Sequence, residues 1–383
     1  MKKTNPNQFS SKAVQHGLER TNTGKLQTLW IEVPPLCNLA CSYCYARGGE
    51  HIAKQELLTK EEYLSILNQA EKMGVDGIGI PGAGEPLFGA NKKLTMWILK
   101  QCAERGFYAI LFTTGEFITE ELAVELFNLP VEVMLKGNTL DPIKQDLFVS
   151  DQSRGKIIHG YGEKRNRAIE ILAKAGFNDP ILSQKYGRKS RMALVTSIMT
   201  NKDGSLSNME DVVKVYRFCR DRNIIADIDT ILERGRAIDC SIKAGGEKIL
   251  NALTELRSIA INEYGDKEAV LSSTYVETVC DRYHHHLYID VKGQIRPCIG
   301  AMDVNLGSIK NTTLKKAWNS KERRIIRERK YAGVCPTCMN FKEFKCHSCL
   351  GRRTLTTGEK ALNNENLLRD KSAYTTGCPL FRK

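Results

Sequence analysis

Between residues 28 and about 240 the chain alternates two kinds of apolar pattern. Short, nearly continuous apolar runs read as buried strands: "TLWIEV" (28–33), "DGIGIPG" (76–82), "YAILFTTG" (108–115), "VEVMLKGN" (131–138), "RMALVTSIMT" (191–200) and "IADIDTILERG" (225–235). Segments of helical period separate them. In the first, Tyr63, Ile66, Leu67 and Ala70 share one face, and Thr59 followed by Glu62 forms a capping box. Further helices are expected at 91–105, 119–127 and around 163–176, and another capped by Ser207 and Glu210. Six such units predict a parallel sheet, because parallel neighbours need crossover connections. Six are too few to close an eight-stranded barrel. The expected fold is therefore α/β: a partial (β/α)6 barrel over 28–240, after an N-terminal extension at 1–27. In such a sheet, chemistry gathers at the C-terminal ends of the strands.

The pattern changes further along. Residues 241–279 read as a linker carrying one more helix (245–264). From 280 to 383 come short strands ("HLYIDVKGQIRPC"), a basic helix near 313–330 and a cysteine-rich tail, which mark a second domain.

Composition then narrows the chemistry. Lysine and arginine outnumber the acids 57 to 44, a formal charge of +13, which suits an anionic partner but selects none. The N-terminus "MKKTNPNQFSSKAVQHG" lacks the apolar core of a signal peptide, and no apolar run is long enough to span a bilayer. A cytoplasmic protein with no membrane contact is expected. There, 13 cysteines argue against disulfides and for metal or redox chemistry.

Three of them, Cys37, Cys41 and Cys44 in "CNLACSYC", follow the first strand directly. A C-x3-C-x2-C loop can supply three thiolates to a 4Fe–4S cluster and leave the fourth iron open. An open position distinguishes a catalytic metal site from a closed structural one. A zinc site completed from elsewhere is the competing reading. The loop, with Tyr43 before its last cysteine, resembles the signature of the radical S-adenosylmethionine superfamily. That resemblance implies that the open iron binds S-adenosylmethionine, whose reductive cleavage gives a 5′-deoxyadenosyl radical that abstracts hydrogen. "GAGEP" (82–86) resembles the family's Gly-Gly-Glu-Pro turn, placing Gly84 and Glu85 at the methionine ammonium, with Ala83 a departure. "TTG" (113–115) is similar to its Thr-Asn-Gly turn, with Thr114 in place of Asn. Ser197 and Asn201, ending the fifth strand, are candidate ribose or carboxylate contacts.

In the tail, Cys280, Gly293 and Cys298, then "CPTC", "CHSC" and "GCP", resemble the SPASM extension of the same superfamily. The resemblance implies two auxiliary 4Fe–4S clusters. Cys335, Cys338, Cys346 and Cys378 would hold one, and Cys280, Cys298 and Cys349 the other, with Cys240 the nearest spare ligand for the shorter set. The "CPTC…CHSC" pairs taken alone also fit a zinc ribbon. Cys102 and Cys219 fall on apolar helix faces and read as small buried hydrophobes.

Asp227 and Asp229 alternate against Ala226, Ile228, Thr230 and Leu232, which turns both acids toward the barrel interior as a candidate base or a substrate contact. The competing reading is a structural pair bonded to strand ends. "HHH" (284–286) reads as a polar surface patch, and the basic helix as a solvated face that can also receive an acidic peptide or RNA. The family implies a peptide, protein or small-molecule substrate and an electron donor such as flavodoxin or ferredoxin. With 36 residues ahead of Cys37, no leader-binding domain is expected there, so a peptide substrate would need a separate presenting partner. The alternatives are a zinc-knuckle nucleic-acid-binding protein, or a radical enzyme acting on RNA.

Overall fold

The computed structural model describes residues 24–266, 280, 282–330, 332–333, 335–342, 349, 353–354 and 374–375. The six predicted strands are β1 (Thr28–Ile31), β2 (Gly77–Ile80), β3 (Tyr108–Thr113), β4 (Val131–Lys136), β5 (Met192–Ile198) and β6 (Ile225–Thr230). Each pairs in parallel with its sequence neighbour. Two later strands, β7 (His286–Ile289) and β8 (Ile295–Arg296), extend the same sheet, giving the order β6-β5-β4-β3-β2-β1-β7-β8. All four residues of β1 pair in parallel with β7, and β8 returns antiparallel. The sheet is therefore an open, partial barrel, and the segment after residue 280 completes one side of it.

The crossovers are α1 (Lys60–Lys72), α2 (Ala90–Glu104), α3 (Glu120–Phe127), α4 (Pro142–Val149), α5 (Tyr161–Lys174), α6 (Pro180–Gln184) and α7 (Met209–Asp221). Helix α1 starts as expected: Glu62 N donates to Thr59 Oγ1 at 3.2 Å and Thr59 N to Glu62 Oε2 at 2.8 Å. Its buried face is Tyr63, Ile66, Leu67 and Ala70. Helix α7 corrects an expectation, because its N-cap is Asn208 rather than Ser207. The Asn208 amide points away from the helix, accepting from Met199 N (2.7 Å) and donating to Ser197 O (2.8 Å) and Asn138 O (3.0 Å). That position ties two strand ends together instead of capping.

Helix α8 (Gly246–Asn262) packs its Leu253, Leu256 and Ala260 against Val212 and Tyr216 of α7. After α9 (Arg282–His285), the expected single basic helix is two: α10 (Leu314–Trp318) and α11 (Lys321–Arg327). The break comes at Ser320, whose hydroxyl accepts from Arg323 N and caps the second helix. One more short helix, α12, runs Met339–Lys342. The main core joins Ile31, Ile80, Leu111, Val133 and Leu194 of the sheet to Leu67, Leu99 and Leu126 of the helices. Cys102 and Cys219 lie in it, fully buried as expected.

His284, His285 and His286 are buried, not a surface patch. Because β7 is an inner strand, these residues are covered: His286 Nδ1 lies 2.9 Å from Thr28 Oγ1, and its ring meets Trp30 edge-on at 5.2 Å. Just beyond β1, Glu32 is buried at the same seam. Its carboxylate accepts from Tyr288 Oη and from Val291 N (3.0 Å), so it clamps β1 to the chain that follows β7.

Burial pushes the Glu32 carboxyl up from 4.5 to about 7; the Tyr288 bond opposes this and Asp290 adds to it. A carboxyl raised in the folded state stabilises fully below its unfolded pKa, and that contribution fades as pH rises through the folded value. Glu32→Gln, with its oxygen toward Val291 and its NH2 toward Tyr288, keeps both bonds without the titration. Relative to this variant, the wild type should lose about 3 kcal/mol between roughly pH 5 and pH 8, at ~1.4 kcal/mol per pK unit. Thermal or urea unfolding across that range checks it; parallel curves for the two proteins would show Glu32 to be ionised throughout.

Candidate active site

The chain leaves β1 through Pro34 and Pro35 and turns into the loop Cys37–Cys44. Neighbours on three sides fix that loop. Ala40 N donates to Val149 O at the end of α4 (3.0 Å), and Arg236 N donates to Cys44 O (2.9 Å). The Arg236 guanidinium bonds Gly48 O, and Gly48 N donates to Cys44 Sγ at 3.2 Å. Gly235, at φ +56°, presses on Tyr45, where a Cβ would come within 2.3 Å of the carbonyl oxygen.

The turn after β2 is keyed to the same loop. Ala83 N donates to Val33 O (3.1 Å) and Glu85 N to Leu36 O (2.8 Å). Gly84 lies so close to this segment that a Cβ would meet Leu36 O at 2.2 Å, which is why a glycine stands there. Glu85 is buried, and its carboxylate accepts from Leu87 N (3.0 Å), Thr114 N (2.7 Å) and Thr113 Oγ1. Burial raises its pKa and those three bonds oppose the rise. The side chain thus serves first as the tie between the ends of β2 and β3. Thr114 O accepts in turn from Tyr161 Oη at 3.1 Å.

Cys37, Cys41 and Cys44 line one cavity of ≈ 280 Å³ at the C-terminal ends of the strands, together with Gly82–Pro86, Thr114, Ser197, Asp227 and Asp229. Both aspartates face it, as the alternation along β6 predicts, while Ile228 is buried against α7 and α8. Asn201 is not brought there. Its amide is taken by its own turn, donating to Ser205 Oγ (2.8 Å) and accepting from Leu206 N (3.1 Å). Tyr43 is buried, and its hydroxyl accepts from Asn138 Nδ2 at 2.8 Å.

Sequence reasoning missed three residues. Lys136, the last residue of β4, reaches into the cavity and donates to Ser197 Oγ at 3.0 Å, with its ammonium 5.1 Å from the Tyr43 ring. Burial lowers its pKa, against the charges of Cys41, Asp227, Asp229 and Cys44, so it lies between the thiols and the acids. Its signal was a lone cation ending an apolar parallel strand. Arg282 comes from α9, lines the cavity and stacks on Trp30 at 4.4 Å. Nothing local marked it. Asn138 is the third: fully buried, it joins Tyr43, Ser197 N (3.1 Å) and Gln145 Oε1 (2.9 Å).

The donor set fits an iron–sulfur cluster. Burial, with Cys41 adding to it, pushes the Cys37 thiol up to about 12, and burial with Cys44 pushes Cys41 up to about 11. Three thiolates so placed repel one another unless a strongly cationic group lies between them. Among the described residues, no three His, Cys, Asp or Glu side chains converge as a single metal ion requires. Thiols spread around one cavity wall suit the corners of a cluster instead.

In the C-terminal region, Cys280 is held high by burial, with Cys349 and Cys298 adding to it, so these three stand together as the resemblance implies. Cys338 N donates to Cys335 O (3.0 Å) in the turn before α12. Cys346 and Cys378 lie outside the described residues. Cys240 is not beside the short set. It packs with Tyr43, Met199 and Ile231 and bonds Ser42, on the side of the first loop. The sequence interval had suggested the tail; the turn at Gly235 carries it back instead.

An open parallel sheet with a three-thiol loop over its first strand defines the class of a cluster-bearing radical enzyme. Residues 31–187 match the model of the radical SAM superfamily, and residues 280–339 that of an iron-sulfur cluster-binding domain, SPASM. The chain belongs to the radical SAM superfamily and carries a C-terminal SPASM domain. With that membership come 4Fe–4S clusters and S-adenosylmethionine as cofactors. Similar curated proteins are the GTP 3′,8-cyclase of Geobacter sulfurreducens (30% identical, covering 32% of this chain and 37% of that one) and a probable GTP 3′,8-cyclase of Methanococcus aeolicus (28%, 53% and 59%). A tungsten-containing aldehyde ferredoxin oxidoreductase cofactor-modifying protein of Pyrococcus furiosus is 26% identical, covering 40% and 42%. The chain thus spans well under two thirds of each of these relatives. Solved structures of similar fold are anSMEcpe with bound AdoMet and Cp18Cys peptide (17% identical, TM-score 0.54, covering 82% and 87%) and Streptococcus suis SuiB bound to S-adenosylmethionine (17%, 0.58, 93% and 81%). No helix among the described residues is long and apolar enough to cross a membrane.

Gly84→Ala should separate the turn from the loop. The clash with Leu36 O costs about 1–3 kcal/mol by overpacking. Iron incorporated after anaerobic reconstitution should fall, while a Gly245→Ala control, with no atom within 4 Å of its added Cβ, should match the wild type.

Proposed function

We propose that this protein is a radical SAM oxidoreductase that abstracts a hydrogen atom from a peptide or protein side chain, or from a small polar metabolite of similar size. Its auxiliary clusters would take up the electron left behind, giving net oxidation, crosslinking or epimerisation. Cys37, Cys41 and Cys44 hold the cluster whose open iron binds S-adenosylmethionine, and that pair supplies the hydrogen-abstracting radical when bound. Cys335, Cys338, Cys346 and Cys378, and Cys280, Cys298 and Cys349, serve the auxiliary sites. Two or three four-iron clusters would bring about 8–12 irons per chain.

The chain's own residues do the rest. Gly84 and the backbone of the turn bring the methionine end of S-adenosylmethionine against the thiol loop, and Glu85 holds that turn to Thr114. Ser197 positions the Lys136 ammonium, which keeps the acids and the thiols apart. Asp227 is the candidate base: burial pushes its carboxyl up to about 6, with Arg282 opposing and Asp229 adding to it. A base of that pKa is mostly ionised at neutral pH and still accepts a proton. Asp229 Oδ1 accepts from Thr230 N at 2.6 Å, which makes it the better choice for holding substrate.

The observation that carries the substrate class is the charge balance of the cavity. Across from the thiols stand two cations, Lys136 and Arg282, and two acids, Asp227 and Asp229. Such a wall receives a neutral or zwitterionic group. A nucleoside triphosphate, the kind of substrate named for the cyclase relatives, would meet two carboxylates where its phosphates need cations. The peptide named with SuiB and with anSMEcpe points the same way, through fold alone. The match of 280–339 to an iron–sulfur domain takes the place of the zinc-knuckle reading.

With dithionite as reductant, the reconstituted chain should release 5′-deoxyadenosine from S-adenosylmethionine. A Cys37→Ala/Cys41→Ala/Cys44→Ala variant should release none while retaining the auxiliary iron. Peptides should stimulate this release and GTP should not; stimulation by GTP alone would overturn the substrate class.

Asp227→Asn tests the base. It should leave 5′-deoxyadenosine formation within about threefold and lower product formation by about 10²–10⁴. In the wild type, product formation should fall as pH drops through about 6, as Asp227 takes up its proton. A flat profile there, or an active variant, would remove Asp227 from the proton step.

A further inference from the structure

Helices α10 and α11 carry opposite chemistry on their two sides. Leu314, Ala317, Trp318, Arg323 and Ile326 are buried. Lys315, Lys316, Lys321, Arg324 and Lys330 are exposed, with Lys310 just ahead of them. The ridge is held rigidly: Trp318 Nε1 donates to Gly24 O at 2.9 Å, and the guanidinium groups of Arg323 and Arg327 lie 4.3 and 4.9 Å over its ring.

Its C-terminal end is fastened to a cysteine turn. Arg329 donates to Phe341 O and stacks on the Phe341 ring at 3.9 Å. Phe341 N donates to Cys338 O at 3.1 Å, and Cys338 N to Cys335 O. The basic ridge and the Cys335–Cys338 turn are thus one connected piece. Of the acids on the ridge, Glu328 is paired with Lys330 at 2.6 Å. Lys315, Lys316 and Lys321 have no ion-pair partner among the described residues.

We infer that this ridge is the docking surface for an acidic one-electron carrier protein, which exchanges electrons with the cluster served by Cys335 and Cys338. The inference rests on the reading above that these cysteines are cluster ligands. Transient redox encounters bury little surface and rely on complementary charge for steering. A rigid cationic ridge beside a cluster turn meets that need. In the exchange, one electron leaves the reduced carrier, which is oxidised, and enters the cluster, which is reduced; no atom moves. Single-stranded RNA fits less well, because it wants aromatic rings to stack on, and the ridge's one large aromatic, Trp318, is turned inward at 4% exposure.

The test compares the reconstituted full chain with its Lys315→Glu/Lys316→Glu/Lys321→Glu variant, changed only at exposed positions. Binding is measured with purified flavodoxin and with a plant-type ferredoxin, at low and high salt, alongside a single-stranded RNA and a polyglutamate peptide. At least one carrier should bind the wild type, weaken about tenfold or more in the variant, and lose its salt dependence there. Carrier-driven bleaching of the cluster absorbance should slow by a similar factor, while dithionite-driven bleaching stays equal in both proteins. The docking surface is overturned if neither carrier distinguishes the two proteins. It is also overturned if RNA or the peptide alone does so. If dithionite bleaches only the first-loop cluster, the assignment of the tail ligands fails and the docking site with it.

Discussion

The buried carboxylate of Glu85 is the constraint around which the site is arranged. A carboxylate in that position needs donors, and it finds three: Leu87 N, Thr114 N and Thr113 Oγ1. Meeting that need brings the end of β3 to the turn after β2. The same turn approaches Leu36 so closely that only glycine fits at position 84, which fixes the chain entering the cysteine loop. The ends of three strands are therefore set relative to one another before any cofactor is considered. Asn138 repeats the device on the other side of the cavity, joining the loop through Tyr43 to the end of β5 at Ser197.

Across the cavity, the C-terminal region acts as part of the barrel. β7 pairs with β1 along its whole length, and Glu32 is clamped by Tyr288 and Val291 from that side. Arg282, two residues beyond Cys280, enters the cavity and balances the two aspartates of β6. The short cysteine set of Cys280, Cys298 and Cys349 is thereby held close to the reacting cavity, since Ile299 lines it as well. Proximity of this kind suits an electron acceptor for a substrate held between the two.

Much of this was legible along the chain. Apolar runs marked all six parallel strands because a strand buried on both faces has little choice but to be apolar. The capping box at Thr59 and Glu62 was readable because both its bonds are local. Failures came where a side chain served a distant partner. Asn208 replaces Ser207 as the cap because its amide bonds Ser197 and Asn138. The histidines at 284–286 look polar, yet an inner strand covers them. Asn201 sits at the end of the right strand, but its own turn takes up its amide.

Local spacing alone determined the thiol loop, the turn at 82–86, the alternation of Asp227 and Asp229, and the α/β class. Each depends on residues within a few positions of one another, where chain geometry leaves few arrangements. The tertiary structure alone decided that β7 would join β1, that Lys136 and Arg282 would face the acids, and that Cys240 would return to the first loop. Those outcomes come from burial and from hydrogen-bond demand between segments up to some 250 residues apart, such as Glu32 and Tyr288. No local period carries such information.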